Sequence, residues 1–133
     1  MNYRWIFLLI PLLATQAYAY QFPTEIIEQF DDNKIVAFIN ESHFTNSKPW
    51  NPLQEAPPLT VAGAIRGVKK HFVDEKNDLA ELSIAEIEIR KTPLHKGLWH
   101  YIIKARAKGK NIYYFVLMNG VVVPAVVEPE SYK

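Results

Sequence analysis

Cysteine is absent from the 133 residues, and this removes a disulfide framework, a thiol nucleophile, a thiolate metal site and a lipid-modified cysteine anchor together. Glycine is scarce. The five glycines are scattered, so they write neither a phosphate-cradling loop nor a dinucleotide fingerprint, and there is no serine nucleophile elbow. Charge of one sign is lacking too: 15 Lys and Arg stand against 14 Asp and Glu, which gives no support to a nucleic-acid or general anionic-membrane role. His43, His71, His95 and His100 fall on separate segments, without the His-x-x-x-His or His-Glu-x-x-His spacing of a metal site. The expectation is therefore no cofactor, no metal and no catalytic residue, with a small hydrolase kept as the alternative.

Long hydrophobic runs are also missing after the first residues. Residues 1–19 carry Arg4 as their only charge, an apolar run from Trp5 to Ala14, and Ala17-Tyr18-Ala19 as a small-x-small site, which predicts a signal peptide cleaved after Ala19. The run is broken by Pro11 and falls short of the roughly 20 residues that span a bilayer. Residues 20–133 are then expected to be one exported domain without membrane insertion. Its lack of bridges suits a bacterial periplasm, with secretion as the alternative.

What is present is patterned. Thr24 as a cap ahead of Glu25, Ile26, Ile27, Glu28 and Phe30 predicts a short helix, and Lys34–Asn40 is a β-branched run of strand length. Residues 45–58 hold four prolines and must run irregularly. Trp50 in their middle is read, with Leu53, as a pin that holds the loop to the core, or else as a ligand contact. A helix capped by Thr60 sets Val61, Ala64, Ile65, Val68 and Phe72 on one stripe, and Gly63 and Gly67 suggest close packing on a sheet. From Ser83 the period becomes two, with strands expected at 84–91, 98–107, 112–118 and 121–127 and Asn119-Gly120 as the clearest hairpin signal. The fold class is α+β: an antiparallel sheet of four to five strands with the 60–72 helix packed on one face.

Pairing residue 91 with 99 sets Ile87 against Ile103, Ile89 against Tyr101, Ala85 against Ala105, Glu86 against Lys104 and Arg90 against His100. A four-residue turn at Lys108–Asn111, with Ala107 opposite Ile112, and a two-residue turn at Asn119-Gly120 put Tyr114, Val116, Met118, Val121, Val123 and Ala125 on the helix side. The opposite face, Ile102, Tyr113, Phe115, Leu117 and Val122, is apolar too, unlike the solvated face of an ordinary antiparallel sheet. Something must cover it. One candidate is the chain itself, whose residues 20–55 carry six acids and could lie against the base-rich residues 56–110. The others are a second copy, giving a homodimer, or an exported or envelope protein whose acids meet Lys104 and Arg106.

The helix Thr60–Phe72, the aromatic-rich Trp99-His100-Tyr101-Ile102-Ile103 and the strand and turn Ile112–Gly120 resemble the PepSY-type domains of exported bacterial proteins, and are similar also to cystatin-like helix-on-sheet folds. The resemblance covers residues 60–127. It implies a non-catalytic binding or inhibitory module that restrains peptidases or modulates envelope proteins.

Overall fold

The computed structural model describes residues 24–128; the expected leader and its cleavage site lie outside them. In chain order they form β1 (Thr24–Phe30), β2 (Asn33–Ile39), α1 (Val61–Asp74), β3 (Leu82–Lys91), β4 (Trp99–Ala107), β5 (Lys110–Leu117) and β6 (Val122–Val127). All strand pairs are antiparallel, in the order β1-β2-β6-β5-β4-β3. The class is α+β as expected, but the sheet has six strands rather than four or five.

The extra strand is β1, where the sequence reading placed a helix. Ile26 and Phe30 are four apart, a spacing that shares one face in a helical turn and in a strand alike. Pairing decides between them. Seven residues make a poor isolated helix, whereas the Asp31-Asp32 turn, with Asp31 at φ 52°, lets the segment pair with β2 from Phe30↔Asn33 to Thr24↔Ile39. Ile26 and Phe30 become buried while Ile27 remains exposed.

Helix α1 begins as its sequence dictates. The Thr60 side chain accepts the Gly63 N–H, and Ala64, Val68 and Phe72 are buried. A Cβ added at Gly67 would stand 3.1 Å from Val122 Cγ2, so this glycine lets the helix approach β6 closely. Gly63 instead meets the chain just ahead of its own helix, at Leu59.

The registers explain which side chains share each face. Ile87↔Ile103, Ile89↔Tyr101, Glu86↔Lys104 and Arg90↔His100 pair as expected, but a bulge between Ile84 and Glu86 leaves Ile84, not Ala85, opposite Ala105. The next turn is shorter than four residues: Lys108 and Gly109 both take positive φ, Ala107 pairs with Lys110, and the register moves by two, which changes no faces. The last turn is longer than two. Gly120 at φ 91° completes a three-residue loop, Val116 pairs with Val122, and the one-residue shift exchanges the faces of β6. Val123 therefore leaves the helix side, and Val122 packs toward α1.

Two cores result. Under the helix, Ala64 and Val68 meet Tyr101, Ile103, Ala105, Tyr114, Val116 and Met118. On the other face, Ile102, Tyr113, Phe115 and Leu117 are enclosed with Ile26, Phe30, Ile35, Ala37, Ile39 and Val123. The sheet curls for this second core, bringing β1 and the turn after it near enough to β3 and β4 for ion pairs from Arg90 to Glu28 (3.0 Å) and from Lys104 to Asp31 (2.6 Å). The acidic first segment does lie against the basic later one.

Candidate functional site

The apolar face read from the sequence as a protein-binding surface is not at the surface. Ile102 and Phe115 are fully buried, Leu117 and Tyr113 nearly so, and all four belong to the second core. Val122 lies on the opposite side, beside Gly67. The reason is the β1–β2 hairpin, which continues the sheet and folds over this face. Lys104 is spoken for as well, bound by Asp31 at 2.6 Å with Glu86 at 3.5 Å.

The strand order gathers a polar group that no sequence motif announced. Glu28 of β1 faces Arg90 at 3.0 Å, and the Arg90 Nη1 group also donates to the Gln29 carbonyl at 2.8 Å. Glu88 accepts from Arg90 Nη2 at 2.6 Å. Beneath them His100 is fully buried, stacked on Phe115 with ring centroids 4.9 Å apart, its Nδ1 2.9 Å from the Thr92 hydroxyl. Its Nε2 stands 3.4 Å from Glu28 Oε1, an ion-pair distance without hydrogen-bond geometry.

Burial pushes the Glu28 carboxyl up, but the adjoining His100 imidazole and the hydrogen bond and charge of Arg90 outweigh it and hold it below the usual carboxylate range. For Arg90 the burial effect is likewise exceeded by Glu88 and Glu28, which raise it. This cluster ties the two edges of the sheet together. Glu28 was missed because residues 24–30 were read as a helix; the available signal was a lone acid at the strand period between Ile26 and Phe30.

Among the described residues, no three His, Asp or Glu side chains come together in a way that could hold a metal ion. The broad concavity is at another end, a cleft of about 940 Å³ between the 50–54 loop and the turn joining β3 to β4. Trp50 and Trp99 meet there edge to face, centroids 5.1 Å apart. The Trp99 indole N–H donates to the Trp50 carbonyl, the Trp50 indole N–H donates to the Glu55 carbonyl, and the Trp50 amide donates to the Gly97 carbonyl. Trp50 thus pins the loop, as expected. Leu53 does not: it is 95% exposed, because the turn around Asn51 points it away from the core.

Gly97 holds the two loops together, with φ 76° and room for a Cβ only 3.0 Å from Pro49 Cβ. Gly97→Ala is therefore expected to cost roughly 1–2 kcal/mol and to speed exchange of the Trp50 amide. Thermal melts and amide exchange measure both; an unchanged Trp50 amide would contradict the coupling.

Compared with family models, with curated proteins and with solved structures, the chain matches none.

Proposed function

We propose that the chain is an exported, periplasmic, non-catalytic binding domain that meets its partner with the Trp50–Trp99 end rather than with the sheet face. The observation that carries this is the surface itself. The apolar face is filled by the chain's own β1 and β2, while the cleft combines two aromatic rings, two outward leucines and the bases Lys91, His95 and Lys96 with no acid in its lining. Large aromatics beside exposed apolar side chains supply the contact area that recognition needs. The leader pattern of residues 1–19 supports export, and the PepSY-like resemblance supports a binding role.

After removal of residues 1–19, Trp50 and Trp99 are the two tryptophans left, so indole emission reads this cleft directly. The expected result is a processed chain in the periplasmic fraction whose emission responds to a soluble anionic apolar probe, a Leu-Glu repeat peptide or dodecyl phosphate. Full-length chain retained in the cytosol, or emission indifferent to both probes, would overturn the reading.

A further inference from the structure

We infer that the Trp50–Trp99 end docks on an anionic phospholipid surface, with Leu53 and Leu94 entering the headgroup region and Lys91 and Lys96 meeting the phosphates. This rests on the binding role proposed above and names the surface that is bound. It requires no membrane-spanning segment, and no helix among the described residues is long and apolar enough to be one.

Exposure points to it first. Leu53 is 95% and Leu94 90% exposed, far above the next large apolar side chain among the described residues, Val126 at 54%. Single exposed apolar residues are ordinary. Here two, 41 residues apart in sequence, come from different loops and rim the same cleft. They project outward, and leucine is under-represented among the anchors that hold two folded proteins together. Outward leucines beside lysines suit a deformable lipid surface, which closes around them.

Leu94 is costly to the fold itself. It sits at φ 61°, the left-handed region that glycine or asparagine takes with little penalty and a leucine does not. At 90% exposure it gains little packing in return, which fits a role for the leucine outside the folded chain. Charge then selects the kind of surface. Lys91, His95 and Lys96 line the cleft without an acid, and Lys91 Nζ stands 5.7 Å from the centre of the Trp99 ring. Tryptophan rings are favoured where an apolar interior meets headgroups.

The platform is also held in shape before binding. Trp50 N–H donates to the Gly97 carbonyl, Thr92 N–H to the Leu98 carbonyl, and His95 stacks on Phe44 with centroids 4.1 Å apart. Little ordering is left for the lipid to impose.

The test is sedimentation of the exported chain, its mass confirming loss of the leader, with vesicles of phosphatidylglycerol and phosphatidylcholine in equal parts and with phosphatidylcholine alone. Salt-sensitive binding to the anionic vesicles is expected, with a blue shift of indole emission. Leu53→Ser combined with Leu94→Asn should weaken binding at least about tenfold, and Lys91→Gln or Lys96→Gln should each weaken it roughly fivefold. Both leucines are exposed and asparagine suits φ 61°, so the double variant should melt no lower than the parent chain. Failure to bind either vesicle, or binding unchanged in the leucine variant, overturns the inference. If vesicles fail while the Leu-Glu peptide or dodecyl phosphate still shifts the emission, the binding role stands and the lipid surface does not. Silence toward vesicles and soluble probes alike removes both.

Discussion

Lysine at Phe115 and Leu117 together is expected to abolish the cooperative thermal transition. Phe115 is fully buried and Leu117 nearly so, each enclosed with residues of β4, β6 and the β1–β2 hairpin. Truncating such a phenylalanine to alanine alone costs about 3–5 kcal/mol through lost transfer and the cavity left behind. An ammonium group among these apolar side chains would also lose its hydration, at further cost. Small domains have roughly 5–15 kcal/mol of total stability, so two such changes exceed what the fold can absorb. Phe115→Ala should keep a transition at lower temperature. A soluble double lysine variant that melts cooperatively would mean the face is open.

Removing Glu28 is expected to have the next largest effect on the fold, about 3 kcal/mol for Glu28→Ala at neutral pH, because it leaves Arg90 short of one carboxylate and His100 facing nothing. Glu28→Gln keeps the shape and isolates the charge. The folded carboxyl is held below its unfolded value, about 4.3, so its contribution is complete above that pH and is lost as pH falls through the depressed folded value. Melting temperatures of the parent chain and Glu28→Gln should accordingly differ at pH 7 and converge as the pH falls below that unfolded value. A constant difference across that range would show that the Glu28 charge does not stabilise the edge-to-edge contact.

These two sites mark the limits of what could be read from the chain. The later strands were legible because β-branched and aromatic residues alternate between firm turn signals, and the Glu86–Lys104 and Arg90–His100 pairs follow from one turn. The double-sided apolar character of β5 was legible for the same reason, from Tyr113, Phe115 and Leu117 against Tyr114 and Val116. What covers it was not. Ile26 and Phe30 satisfy helix and strand spacing equally, and only the long-range ladder to β2, and from β2 to β6, resolves them.

The misplacement of Val122 has a smaller cause. Asn119-Gly120 marks a hairpin, but a two-residue turn and a three-residue loop ending in a left-handed glycine share that signature, and one residue exchanges the faces. The cleft was legible in part. Trp50 stood out in its proline-rich loop, yet its partner Trp99 lies across the chain, and no local pattern tells that Leu53 and Leu94 point to solvent. Exposure is a property of the assembled loops.

Hydrogen–deuterium exchange of the exported chain, free and bound to phosphatidylglycerol vesicles, tests the central claim that the contact end is the Trp50–Trp99 cleft and not the sheet face. Slow exchange is expected at 113–117 in both states, with new protection confined to residues 50–54 and 91–98. Fast exchange at 113–117 in the free chain, slowed on binding while the loops stay unchanged, would contradict it.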